Sequence, residues 1–424
     1  MSTSSNPVVV PESEVEKIVV RMIVHSAVLI SIAGCQTTSD TAFRPTSPYP
    51  TTLRTSVTAA PPVRAEHIAI ESPLIPIGRD PSHLVVEALG RTQETPTARL
   101  LRPGLRSEDD GLWLLEPYQP GKIPIVFVHG LNSDRSTWAR MTNELRAIPW
   151  VNFHFQFWYF QYPTGEPFLR SALSLREQTR AAITHFAEQH QDPMLSRVVL
   201  IGHSMGGLIS KLQVTHSSNT IWQGAANRPF TVIRGEPQYL DQLWRLFFFD
   251  PQPFVERVVF IGTPHRGSAW ASQMVGRLAA NMVQQPADRQ EMHRSLIAAN
   301  PGVFLADFRR RIPTSVDLLE PASPLLSAMS CLQVDRRVRL HSIIGMRQGH
   351  LFQPSDGVVS VESARHRGVA SERFVNGRHS RLTQHPETLQ EVLRILAEHI
   401  REGDFSGRGI TVPQTLPDHV TRQQ

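Results

Sequence analysis

Gly202-His203-Ser204-Met205-Gly206-Gly207 follows the apolar run Arg197-Val198-Val199-Leu200-Ile201 and precedes Leu208-Ile209-Ser210-Lys211-Leu212. A β-branched strand running through Gly-X-Ser-X-Gly into a helix-compatible segment is the setting a serine nucleophile needs. The turn strains Ser204, and Gly202 and Gly206 must be small where backbone passes close. It lifts the hydroxyl off the sheet and aims the first helical N–H groups at a developing oxyanion. Ser204 is therefore the candidate nucleophile.

The remaining parts are expected in the order oxyanion segment, serine, acid, histidine. Upstream, Ile123-Pro124-Ile125-Val126-Phe127-Val128 reads as a buried parallel strand ending in His129-Gly130-Leu131-Asn132. A His-Gly pair at a strand end suits a backbone that swings the Leu131 N–H toward the nucleophile, and the Met205 N–H is the second candidate donor. Downstream, residues 338–345 read as a late strand, and the following polar loop carries Ser355-Asp356-Gly357-Val358-Val359-Ser360. Asp356 is the candidate acid; Asp335 and Asp317 are weaker rivals because they precede that strand. His379 lies between a short strand and a final helical pattern from Pro386 to Ile400. A histidine there can reach over the sheet edge, whereas His385, just before Pro386, suits a helix start and His341 lies inside a strand.

Together these residues bear a family likeness. Gly-His-Ser-Met-Gly-Gly, Val-His-Gly-Leu, Phe-Gln-Tyr-Pro-Thr-Gly (160–165), Gly-Thr-Pro-His-Arg-Gly-Ser (262–268), Ser-Asp-Gly-Val-Val-Ser and Arg-His-Ser (378–380) resemble the α/β-hydrolase superfamily. Within it the motifs are similar to those of bacterial triacylglycerol lipases and of GPI inositol-deacylases. The resemblance implies an α/β fold, a mostly parallel central sheet flanked by helices with a helical cap or lid. It also implies a Ser204–His379–Asp356 triad, an oxyanion hole at the Leu131 and Met205 amides, and cleavage of carboxylic esters through an acyl-serine. Acyl transfer or amide hydrolysis on the same triad are the nearest alternatives, and a non-catalytic envelope lipoprotein with a hydrolase fold is the different-class one. No HExxH, paired CxxC, dinucleotide or P-loop pattern occurs in a supporting context, so no cofactor and no metal are expected.

The N-terminus carries a second signal. Residues 18–31 are apolar, broken by Arg21 and His25, and end in Ile32-Ala33-Gly34-Cys35. An apolar core closed by small residues reads as a secretory signal, too short and broken for a stable membrane span. Ile-Ala-Gly-Cys resembles a bacterial lipobox, which implies lipidation and cleavage at Cys35; Gln36 after it implies the outer membrane. Glu12, Glu14 and Glu16 depart from the positively charged start of such signals.

The domain reading follows. Residues 1–35 are a lipoprotein signal and 36–65, crowded with Thr, Ser and Pro, a solvated tether. Residues 66–120 form an extension packed on a catalytic domain at 121–400, with cap insertions near 217–255 and 268–333 and a disordered tail at 401–424. Within the first insertion, Phe247-Phe248-Phe249 suits either an acyl pocket or lid, or an ordinary buried helix. Only Cys35 and Cys331 are present, so with Cys35 lipidated no disulfide framework is expected and Cys331 reads as a buried small residue. The net charge of +5 is dispersed, with Arg309-Arg310-Arg311 its densest cluster. A solvated helix face explains that cluster, and a nucleic-acid partner is not expected. The expected partners are a small-molecule or lipid ester and, through the anchor, a membrane.

Overall fold

A computed structural model of the chain describes residues 95–101, 110–271, 285–347 and 354–403. Nine strands occur among them: β1 (Gly111–Leu114), β2 (Ile123–Val128), β3 (Phe155–Gln161), β4 (Val198–His203), β5 (Thr215–His216), β6 (Val255–Ile261), β7 (Gln333–Val334), β8 (Arg339–Gly345) and β9 (Ser371–Val375). Seven form one sheet in the order β1-β3-β2-β4-β6-β8-β9, and β5 pairs with β7 separately. Only β1 runs antiparallel within the large sheet; every other neighbour is parallel. This is the mostly parallel sheet flanked by helices that the sequence implies.

The strands are apolar runs because both faces of the sheet are covered. In β4, Val198 and Leu200 point to one side and Val199 and Ile201 to the other. The first side is packed by helices α2 (Phe168–His190) and α3 (Met205–Lys211), through Leu169, Ala172 and Leu175 and through Leu208, Ile209 and Leu212. The second is packed by α1 (Ala139–Arg146) and α6 (Pro386–Glu402), through Met141 and Leu145 and through Val392, Leu393 and Leu396. In α6 these positions recur at helical spacing, so one stripe is buried and the opposite face carries charge. Burying one such leucine contributes roughly 1.5–3 kcal/mol.

The boundary expected at residue 121 cuts this sheet. Gly111–Leu114 pair with β3 from Gln161 to Trp158, so the end of the preceding segment supplies an edge strand. An antiparallel strand can join a parallel sheet at its rim, where one backbone edge is still open.

The two insertions pack on each other. The first contains α4 (Pro237–Phe247) and the second α5 (Ala287–Ala299). Ala226 bridges to Phe304, and the Asn300 amide holds both the N–H and the carbonyl of Arg234. Of the Phe run, Phe247 ends α4 and is buried, while Phe248 and Phe249 follow the helix and are half-buried. Phe247 meets Trp222 edge-on at 5.2 Å, Phe248 stacks on Trp244 at 4.2 Å, and the Arg176 guanidinium lies 3.9 Å over Phe249. Cys331, expected to be buried, is exposed. It follows the last turn of a short helix (Pro324–Ser330) whose apolar side, Leu325, Leu326 and Met329, is the buried one. The Cys35 signal, the tether at 36–65 and most of the tail at 401–424 lie outside the described residues.

Candidate active site

Ser204 sits between β4 and α3 at φ 54° and ψ −125°. A non-glycine residue seldom adopts this conformation, which costs on the order of 1–3 kcal/mol and persists only where surroundings impose it. Here the neighbouring strand β6 imposes it from one side, since the Ser204 N–H donates to the Ile261 carbonyl at 2.8 Å. The opening of α3 imposes it from the other. A Cβ on Gly202 would lie 2.6 Å from the backbone of Gly206 and Gly207, so the elbow closes only with glycine there.

The structure brings the three selected side chains together. His379 Nε2 is 2.9 Å from Ser204 Oγ, and His379 Nδ1 is 2.6 Å from Asp356 Oδ2. With the ring proton on Nδ1, the imidazole donates to the carboxylate and Nε2 accepts from the serine hydroxyl. All three are buried, with Ser204 at 8 % and His379 at 9 % relative exposure. Asp356 Oδ1 accepts from the N–H groups of Val358 and Val359, at 2.9 and 2.8 Å. The Asp-Gly-Val-Val turn therefore orients the carboxylate through two backbone donors. Gly262, at φ 57°, lies behind the pair: a Cβ there would be 3.3 Å from both Asp356 Oδ2 and His379 Nδ1.

The rivals are engaged elsewhere. His385 caps α6, accepting from the Glu387 N–H at 3.3 Å. His341 lies in β8 against Arg257 and Ser371. Asp335 pairs with Arg337, and Asp317 closes a capping box with Thr314.

The candidate oxyanion segment is next to Ser204. A Cβ added to Gly130 would fall 2.9 Å from the Ser204 Cβ, so the two chain segments are in direct contact. Leu131 follows it, and Met205 is the first residue of α3, where an N–H has no intrahelical acceptor. His129 braces the turn: its Nδ1 lies 3.0 Å from the Gly130 carbonyl, and its own carbonyl accepts from Tyr162 Oη at 2.5 Å. The two rings stack at 4.2 Å. Burial pushes the His129 imidazole down to about 4, so it stays neutral and can hold this bond near neutrality. Thr164 Oγ1 accepts from the Asn132 N–H at 3.3 Å. The second insertion is moored to the same region. Arg289 pairs with Glu166, Ser315 Oγ donates to the Glu166 carbonyl, and Ser268 Oγ donates to the Val358 carbonyl at 2.5 Å.

Sequence reasoning assigned no role to His203, although it stands inside the elbow motif. Its Nε2 is 3.1 Å from the His379 carbonyl oxygen. Tyr162 and Thr164 belonged to a quoted motif, but no local pattern reveals that they brace the turn after β2. Among the described residues no group of three or more His, Cys, Asp and Glu side chains is gathered as metal ligands do.

Residues 119–231 match the family model of the PGAP1-like alpha/beta domain. No curated protein matches the sequence. Among solved structures, the mature form of Bacillus licheniformis lipase BlEst2 is 18% identical, with 66% of this chain and 93% of that one covered and a TM-score of 0.40. Staphylococcus hyicus lipase is 15% identical over 68% of this chain and 97% of that one, at a TM-score of 0.37. EstA from Clostridium botulinum is 12% identical over 73% of this chain and 94% of that one, also at 0.37. With its sheet order and its strand–elbow–helix turn at Ser204, the chain has the α/β-hydrolase fold, and residues 119–231 within it match the PGAP1-like alpha/beta domain.

Proposed function

We propose that this protein is a serine hydrolase that cleaves carboxylic esters of lipase or esterase type. The observation that carries the reading is the hydrogen-bonded chain Ser204 Oγ, His379 Nε2, His379 Nδ1, Asp356 Oδ2, at 2.9 and 2.6 Å. His379 takes the Ser204 proton as Oγ attacks the ester carbonyl, and the N–H groups of Leu131 and Met205 hold the oxyanion. Collapse expels the alcohol, which carries off the proton from His379, and leaves an acyl-serine. Water then attacks along the same route, its proton passing through His379 as Ser204 is released with the free acid. Asp356 stabilises the imidazolium and keeps the ring proton on Nδ1. Each oxyanion donor in such a site contributes on the order of 10²–10³ in turnover.

An alcohol in place of water at the second step makes the same site an acyltransferase, and product analysis separates the two. The placement of the enzyme belongs to the proposal as well: the lipobox likeness at Ile32–Cys35 supports an acylated Cys35 at the outer membrane of a bacterial envelope. The test of the chemistry is covalent. A fluorophosphonate probe labels the parent protein at Ser204, and Ser204→Ala abolishes both labelling and p-nitrophenyl ester turnover while the protein remains folded. Near-parent turnover in that variant overturns the proposal.

A further inference from the structure

His203 is a buried histidine placed where an apolar side chain would fit the strand. It ends β4, one residue before Ser204, and its ring lies 4.9 Å from the His379 ring. Nε2 points at the carbonyl oxygen of His379 at 3.1 Å, and the geometry makes it the donor, since a carbonyl can only accept. The tautomer is thereby fixed, leaving Nδ1 as an acceptor. That Nδ1 is fully buried and has no hydrogen-bond partner among the described residues. It faces the oxyanion turn, 3.2 Å from where a Cβ of Gly130 would stand.

An orphaned buried acceptor is costly, and a leucine at this position would avoid it. What a leucine could not do is hold the His379 carbonyl. The His379 N–H is already held, donating to the Asp356 carbonyl at 3.1 Å. The bond from His203 grips the other side of the same residue, so the backbone of His379 is fixed at both ends and the imidazole cannot swing away from Oγ.

We propose that His203 is a positioning residue, setting the angle of the His379 imidazole toward Ser204 by donating to the His379 carbonyl. The inference rests on the serine-hydrolase reading above. Burial, followed by the neighbouring His379 and His129, pushes the His203 imidazole down to about 3, so the donor is present as a neutral ring throughout the working range. Its hydrogen bond is to the backbone of His379 and not to the Ser204 or Asp356 side chain, so it acts through His379.

The test uses three variants of the full chain. Glutamine reaches about as far as Nε2 and keeps a donor there; asparagine is too short and leucine has none. His203→Leu and His203→Asn should lower kcat by about 10- to 100-fold with KM nearly unchanged, the range expected for a small misplacement of a reacting group. His203→Gln should recover most of the loss. A readout independent of turnover is the low-field proton resonance of the His379–Asp356 hydrogen bond, which should persist in the parent and the Gln variant and broaden or vanish in the other two. If the Leu variant does not fold, the Asn and Gln pair carries the comparison. Parent-like kcat and an unchanged resonance in the Asn variant overturn the proposal. Failure of the hydrolase reading looks different: Ser204→Ala stays active, or the parent is inert, while the resonance still reports whether His203 sets the imidazole.

Discussion

Asp356 and His379 are joined twice, once between side chains at 2.6 Å and once where the His379 N–H donates to the Asp356 carbonyl at 3.1 Å. The loop after β8 and the loop after β9 therefore act as one unit, and the carboxylate cannot shift without moving the histidine backbone. The side-chain bond selects the tautomer; the backbone bond sets the distance.

Asp356→Asn should thus separate chemistry from scaffolding. The backbone bond survives, so folding stability changes little, but the amide no longer selects an Nδ1–H imidazole. We expect kcat to fall by roughly 10⁴, as when the wrong tautomer is imposed on such a triad. His379→Ala should be about as damaging as Ser204→Ala, because the members act as a unit. His385→Ala, which removes only a cap, should keep its turnover; a dead His385 variant beside an active His379 variant reverses the assignment.

Gly130→Ala tests the contact between the oxyanion turn and the elbow. The added methyl would lie 2.9 Å from the Ser204 Cβ and 3.3 Å from the His203 carbonyl oxygen, with no flexible chain end to give way. The turn must retreat from the nucleophile. Overpacking of this kind costs about 1–3 kcal/mol of stability, and a displaced donor should lower kcat by one to two orders of magnitude. Steady-state kinetics beside urea melts checks both, and unchanged turnover would mean that the Leu131 amide is not a donor.

Stability should fall steeply with acid. Burial holds the His203, His341 and His399 imidazoles down to about 3 and those of His129 and His366 to about 4. His341 and His399 flank the buried Arg257 guanidinium; after burial, Arg257 lowers His341 further, and Arg197 followed by Arg257 lowers His399. In the unfolded chain these rings titrate near 6.5, so between that pH and 3–4 the unfolded state binds more protons. The stabilisation is complete above about pH 6.5 and is lost as pH falls toward the folded values, at up to about 1.4 kcal/mol per pH unit for each ring. Urea midpoints at pH 7.5, 6 and 5 should drop progressively; identical midpoints at 7.5 and 5 would contradict the buried neutral state of these rings.

The Cys35 reading makes its own prediction. Acyl chains contribute about 0.8 kcal/mol per buried CH₂, and attachment becomes stable with more than one chain. Expressed in a bacterial host, the protein should take up radiolabelled palmitate and fractionate with membranes, and Cys35→Ser should abolish both. The chain has two cysteines, so a thioether at Cys35 excludes an intrachain disulfide to Cys331. Unlabelled, soluble protein without a free thiol would settle the matter for the disulfide, and the ester hydrolase proposal stands either way.

The sequence by itself determined the elbow, the strand-end His-Gly turn and the order of the pieces. Each of these is written in neighbouring residues: β-branched runs buried on two faces, glycines where backbones touch, a serine between strand and helix. Position in the chain singled out Asp356 and His379 over their rivals, but only tertiary structure brought them to the nucleophile, because Ser204 and His379 are 175 positions apart and local pattern carries no distance across such a gap. It also decided that Gly111–Leu114 complete the sheet, that the Phe run packs against Trp222 and Trp244, and that His203 grips the His379 carbonyl. The physical reason is the same in each case. A side chain's partner is set by which strand ends and helices are stacked beside it, and that stacking is fixed only when both faces of the sheet have been covered.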